Sequence, residues 1–375
     1  MSKASPGINI PAIEKELSSL WKQAGEEGDD GGVIRACLLN LMVYVPDSEE
    51  ANKVDEIIME VSAEHPARAI LMIADREASE SALSAEVTSR CTLPAGLSKQ
   101  VCCEQVTIHG SGEQANEIPS AVVPLLLSDL PTYLWWRAVP QLTDKFFKRL
   151  GDVSDRVIID SADFADQYKE LQNLAALLRD NPRWTALSDL NWARLTVIRA
   201  LLAGFYDVAE YRPTLENLSQ ASIEYAPMDG KGGVIPARAL LLAGWLTSRL
   251  GWKLGASEVR RAGGSLSFDV NAGSRNVTLE MVPTKQQEVE PGHVAGVTLT
   301  TAEPSPASFS LRRSADGSRI VTEVKAGGKQ HQRVLGYERS DEVALIGREL
   351  EILGHDRVYE QAAVSAGEIV GFINS

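Results

Sequence analysis

Cysteine is scarce in this chain: four residues in 375, two of them adjacent at Cys102 and Cys103. That is too few for a disulfide framework, and no C-x-x-C pair is present for redox exchange. Long apolar runs are missing as well. The longest, residues 121–127 (broken by Pro124) and 239–246, fall far below the ~20 residues of a membrane-spanning helix. Residues 1–10 show no apolar segment of a secretory leader. A basic excess is also absent. Lys and Arg number 37 against 51 Asp and Glu, a net charge of −14, and a field of that sign repels nucleic acid and anionic membrane surfaces. These absences predict a soluble, cytoplasmic protein with no nucleic-acid and no membrane partner.

What is present is an ordinary globular composition, 44% hydrophobic and 23% charged. At roughly 150 residues per domain, the length predicts two domains. Residues 11–24 place Ile13, Leu17, Leu20 and Trp21 at helical spacing, and residues 25–32 read as an acidic flexible linker. This first helix is expected to dock on the chain or on a partner.

From residue 33 strands alternate with helices. Strands are expected at 39–45, 69–74, 101–109, 133–136 and 156–159, and helices at 49–64, 113–127, 144–150 and 163–178. The pattern predicts an α/β domain over residues 33–165, a sheet layered by helices. Apolar helices follow at 190–207 and 236–250. Short alternating runs separated by Gly, Pro and Asp then fill 265–337, and helices at 341–353 and 357–371 close the chain. Residues 166–375 therefore read as an α+β domain with an antiparallel sheet, one face solvated.

Catalytic motifs are thin. Gly110-Ser111-Gly112-Glu113-Gln114-Ala115 matches G-x-G-x-x-A between an extended segment and a helix, the setting of a dinucleotide-binding turn. Glu113, however, sits where a phosphate would land, no strand ending in Asp or Glu follows at the expected place, and a plain strand-to-helix turn is the favoured reading of the string. Gly230-Lys231-Gly232-Gly233 lacks the Ser or Thr that would hold magnesium. Neither H-E-x-x-H nor G-x-S-x-G occurs. Cys91, Cys102, Cys103 and His109 suit zinc by type, but adjacent cysteines on an extended segment point to opposite faces. No catalytic residue, metal ligand or cofactor-binding residue is assigned.

Two strings stand out in a chain only 6% aromatic. Tyr133-Leu134-Trp135-Trp136-Arg137 ends a strand, and Asn191-Trp192-Ala193-Arg194 opens a helix. Trp and Arg dominate binding hot spots, so Trp135, Trp136, Arg137, Trp192 and Arg194 are candidate partner-binding residues. Core aromatics with a structural arginine are the competing reading.

These strings, together with His65-Pro66-Ala67-Arg68, Cys103-Glu104-Gln105-Val106, Ile118-Pro119-Ser120-Ala121, Arg156-Val157-Ile158-Ile159-Asp160 and Leu242-Ala243-Gly244-Trp245, run in order over residues 33–268. In that order they resemble the OpcA family, the glucose-6-phosphate dehydrogenase assembly proteins. The resemblance implies a non-catalytic partner of that dehydrogenase, not itself an enzyme. It would promote the assembled form and activate it allosterically in the oxidative pentose phosphate pathway. Two alternatives stay open: a nucleotide- or sugar-phosphate-binding α/β enzyme or sensor using the turn at 110–115, and a scaffold that binds without changing kinetics.

Overall fold

The computed structural model describes residues 8–27, 34–35, 37–92, 101–228, 230, 233–255, 257–284 and 289–375, of which 21–27, 34–35, 90–92 and 101–102 are described by backbone alone. It forms two compact units, and the chain crosses between them repeatedly. The first comprises Met1–Asp160, Arg183–Leu190 and Ser340–His355. The second comprises Ser161–Pro182, Asn191–Arg339 and Asp356–Ser375.

The first unit is built on an eight-stranded sheet. Its strands are β1 (Ile34–Arg35), β2 (Leu39–Val45), β3 (Ala67–Asp75), β4 (Ala82–Thr92), β5 (Val101–Ser111), β6 (Thr132–Trp136), β7 (Arg156–Ile159) and β8 (Ala186–Asp189). The order β5-β3-β2-β6-β7-β8 is parallel throughout, with β4 antiparallel along β5. Counted along the chain this is 3-2-1-4-5-6, the doubly wound order. Every residue of β2 and all but the last of β3 are buried, as expected of central parallel strands covered on both faces.

Two polar side chains inside this core are each hydrogen-bonded to several partners. Asn40 on β2 donates to the Leu127 and Leu130 carbonyls and accepts the Leu127 amide, fastening the turn before β6. Arg68 on β3 donates to Glu104 at 2.6 Å, to Glu14 at 2.8 Å and to the Leu125 carbonyl at 2.8 Å. Through Glu14, with Ile13 and Leu17 buried beside it, the first helix (Ile10–Glu27) docks on its own chain. That helix extends into the stretch expected to be a linker; residues 28–32 lie outside the described residues.

The segment Ser340–His355 completes the first unit. Its helix Glu342–Leu350 is capped by Asp341, which accepts the Ala344 amide at 2.8 Å. Tyr133 donates to the Leu350 carbonyl at 2.8 Å, and the buried Arg156 donates to the carbonyls of Ile352 and Gly354 while facing Glu349 at 3.6 Å.

The second unit holds a nine-stranded sheet. Its strands are β9 (Leu218–Tyr225), β10 (Lys253–Leu254), β11 (Arg260–Ala262), β12 (Ser265–Asn271), β13 (Asn276–Pro283), β14 (Val294–Thr301), β15 (Ala307–Arg313), β16 (Arg319–Ala326) and β17 (Lys329–Gly336). Burial alternates along β12, β13, β15 and β16, one face carrying Phe268, Leu279, Phe309 and Ile320 into the core. The sheet is mixed rather than wholly antiparallel, because β9 pairs parallel to β13. Helix Arg357–Asn374 packs against helices Ala237–Leu250 and Gln167–Asp180. Glycine permits both crossings: a methyl on Gly244 would strike the Ala362 carbonyl oxygen and sit 2.7 Å from the Ala366 nitrogen, and one on Gly367 would strike the Ala175 methyl.

Three expected helices differ. Residues 113–127 form a 3-10 turn (Gly112–Glu117), a short helix (Ile118–Val122) and another 3-10 turn (Val123–Leu125), because Pro119 and Pro124 lack the amides a continuous helix needs. Residues 163–178 give a 3-10 turn at Ser161–Asp163 and a helix at Gln167–Asp180, started by the Asp166 cap. Residues 190–207 split into Leu190–Ala193, Thr196–Gly204 and a 3-10 turn at Phe205–Asp207. There the side chains of Asn191 and Trp192, anchored to Ser161, Arg238 and Asp356, fix the first turn independently.

Candidate functional site

Doubly wound sheets receive ligands at the carboxyl ends of their strands, where the strand order reverses. Here the reversal lies between β2 and β6. A dinucleotide site would place glycines and open amides after β2. This chain instead leaves β2 through Pro46 and Asp47, and the Asp47 carboxylate accepts the Glu50 amide at 2.9 Å. Glu49 and Glu50 fill the first turn of helix Ser48–Glu64. The anion-attracting end of that helix is thus already occupied by the chain's own carboxylates.

Arg137 closes the same edge from β6. Its amide donates to the Tyr44 carbonyl at 3.2 Å, its Nε to Glu50 at 2.5 Å, and its terminal nitrogen to Glu342. The guanidinium lies 4.9 Å over the Trp135 ring, and its side chain is only 15% exposed. Both tryptophans are buried. Alternation sends Trp136 to the opposite face, where it stacks on Tyr44 with centroids 3.8 Å apart and packs on Phe147 at 4.9 Å. Burial pushes the Tyr44 phenol above its usual range, with Arg76 beside it working in the other direction.

Within the second unit, Trp192 is buried, donates to Asp356 at 3.1 Å and lies 5.8 Å from the Tyr359 ring. Asp356 also caps helix Arg357–Asn374 through the Val358 and Tyr359 amides. The neighbouring Asn191 donates to Ser161 and accepts from Arg238 at 2.6 Å. The cation stacked on Trp192 is Arg199, 3.5 Å over the ring. Arg194, the residue adjacent in the motif, is half-buried. Spacing across the helix break hid Arg199; Glu50 and Glu342 were equally illegible, because their meeting with Arg137 spans the sequence.

The glycine string at 110–115 is a packing device. Gly110 belongs to β5, and a Cβ there would sit 2.8 Å from both Ala115 Cα and Ile118 Cδ1. Gly112 has φ +55, and its Cβ would meet the Ser81 hydroxyl at 2.6 Å. That hydroxyl accepts the Glu113 amide at 3.0 Å, so this amide of the turn is already bonded within the chain. The string runs into a 3-10 turn, without the aligned dipole of an α-helix N-terminus.

Cys103 is buried with its thiol on the Ser62 carbonyl at 3.4 Å, and burial pushes its pKa up, which makes it a poor thiolate donor. The side chains of Cys91 and Cys102, and residues 231–232 of the Gly230 string, lie outside the described residues. Among the described residues no group of three or more His, Cys, Asp or Glu could hold a metal, and no helix is long and apolar enough to cross a membrane.

Comparison with known proteins gives two family matches. One, described as the glucose-6-phosphate dehydrogenase subunit N-terminal domain, covers residues 58–176; the other, the C-terminal domain of that subunit, covers residues 185–363. Three curated proteins carrying the name OpcA align along the chain. That of Nostoc punctiforme is 26% identical over 96% of this chain and 92% of its own length. That of Synechocystis sp. is 26% identical over 95% and 73%, and that of Synechococcus elongatus 28% over 80% and 67%. Among solved structures, an NAD binding oxidoreductase from Klebsiella pneumoniae aligns with a TM-score of 0.48 at 10% identity, over 90% of this chain and 96% of that one. That distance carries no argument about activity.

Proposed function

The chain belongs to the OpcA family, and from that premise we propose that it is a non-catalytic assembly factor and allosteric activator of glucose-6-phosphate dehydrogenase. It binds the dehydrogenase in the cytoplasm and favours the assembled, active form that feeds the oxidative pentose phosphate pathway. The observation that carries this reading is the pair of family matches, one over most of each half of the chain.

The non-catalytic part draws support from the carboxyl edge of the first sheet. Asp47, capping the helix after β2, and Glu50 and Glu342, held by Arg137, stand where an α/β enzyme of this strand order would admit a dinucleotide phosphate. The Ser81–Glu113 bond speaks against the rival reading of the 110–115 turn.

Activation of this kind works only through differential affinity. A tenfold shift toward the active form needs about 1.4 kcal/mol of preference for it. Such a complex buries at least ~1,000 Å². The partner surface in this proposal includes the rims of the two tryptophan clusters. On the first unit Trp135 lies under Arg137, with Trp136 packed on the opposite face; on the second Trp192 fixes the turn that carries Arg194.

Size-exclusion chromatography with light scattering, on the dehydrogenase with and without this protein, tests the assembly claim. A co-eluting complex with the dehydrogenase in a larger or more populated oligomer is expected. Separate elution at micromolar concentration overturns it.

A further inference from the structure

A second opening on the carboxyl edge of the first sheet has the opposite electrostatic character. It is a cleft of about 800 Å³ beyond the ends of β3, β5 and β6. Among the described residues three cations from two segments line it, Arg76 after β3 and Lys145 and Arg149 after β6, with Asp144 the one carboxylate in the lining. In a chain of net charge −14, this is a local reversal of sign.

Asp144 is spent on its own neighbours. It accepts the Phe146 amide at 2.9 Å and takes the Arg76 fork at 2.7 and 3.3 Å. Two cations therefore remain. Lys145 is exposed with no acidic group within 4 Å among the described residues. Arg149 is exposed and donates one nitrogen to the neutral Ser120 hydroxyl at 2.7 Å, leaving its other donors open among the described residues. The two stand four residues apart on helix Lys145–Gly151, neighbours on one helical surface. Uncompensated like charges at that spacing repel each other, and a bound anion relieves the repulsion.

The remaining lining suits an organic body. Asn116 and Gln141 offer amide donors and acceptors, Phe146 and Pro119 apolar contact, and the volume falls within the usual range of small-molecule sites. The acidic closure beside β2 shuts out a dinucleotide in the usual pose. It leaves this cleft, built from the segments after β3, β5 and β6, open to something smaller.

We propose that the cleft binds a small phosphate monoester, such as a phosphorylated sugar. Lys145 and Arg149 hold the phosphate, and Asn116 and Gln141 meet the hydroxyls of the organic part. The site does not rest on the dehydrogenase reading, and it is tested on this chain alone.

Isothermal titration and thermal unfolding of the full chain are run with a hexose 6-phosphate, the free hexose and inorganic phosphate. Saturable binding of the ester at millimolar concentration or tighter is expected, with weaker binding of phosphate and none of the hexose. Lys145→Gln and Arg149→Gln should each weaken the ester about tenfold or more, since each removes a charge-assisted bond. Both side chains are exposed, so the unliganded variants should melt as the parent does. No binding of the ester, or binding unchanged in the double variant, refutes the site. Equal affinity for ester and inorganic phosphate refutes the role given to Asn116 and Gln141.

Discussion

Replacing Arg137 by alanine separates the structural and interfacial roles of the first tryptophan cluster. The guanidinium joins Glu50 and Glu342, whose side chains are 27% and 28% exposed, and covers the Trp135 ring. Its removal leaves two carboxylates facing each other without a cation. A fully buried pair broken this way costs about 3–5 kcal/mol. Partial exposure of both acids screens the loss, and the cation–π contact adds about 1 kcal/mol. The sum comes to about 2–3 kcal/mol, or about 5–10 °C in the melting of a unit this size. Differential scanning calorimetry reads the shift, and a Glu50→Gln/Glu342→Gln variant, which removes the acids instead, should recover part of it in the Arg137→Ala background. Unchanged melting would refute the reasoning, since the ion pairs would then be idle. Unchanged melting with lost activation of the dehydrogenase would assign Arg137 to the partner directly.

Arg156→Met removes the cation 3.6 Å from the buried Glu349 and frees the carbonyls of Ile352 and Gly354. A loss of about 3–5 kcal/mol in urea denaturation is expected, with faster amide exchange over residues 350–356; a loss under about 1 kcal/mol would contradict it. Gly244→Ala drives a methyl into the backbone of Ala362 and Ala366, so denaturation should show about 1–3 kcal/mol of destabilisation, and a neutral result would mean the helices part freely. His293 is held down to about 3 by burial and by Arg238, Arg339 and Arg313, against the upward pull of its bond to the Pro291 carbonyl. The unfolded histidine takes its proton near 6.5 while the folded one does not. Stability should therefore fall as pH drops from about 6.5 to about 3, by up to about 1.4 kcal/mol per pH unit. His293→Gln should flatten that slope, and an unchanged slope would show the shift to be absent.

Where burial alone decides conformation, residue order was readable. The runs Leu39–Val45 and Ala67–Asp75 are apolar enough to be central strands whatever surrounds them, and the alternation of β12, β13, β15 and β16 marks a one-sided sheet. Local rules failed where distant partners intervene. Nothing near residue 190 announces a helix break that depends on Ser161, Arg238 and Asp356. β4, β8 and β9 were missed, β8 because four residues carry too little periodicity. β9 gains its place from pairing with β13 and β14, far along the chain. The candidate site shows the same division. Composition singled out Trp135, Trp136 and Trp192, but the groups that organise them, Glu50, Glu342, Arg199 and Asp356, come together only in the fold.

The central claim is activation by binding, and one titration tests it most directly. This protein is added to purified cognate glucose-6-phosphate dehydrogenase while NADPH production is followed across substrate concentrations. The account predicts a saturable fall in apparent KM or rise in kcat, with no turnover from this protein alone. No kinetic change at saturating concentration, or turnover in the absence of the dehydrogenase, would contradict it.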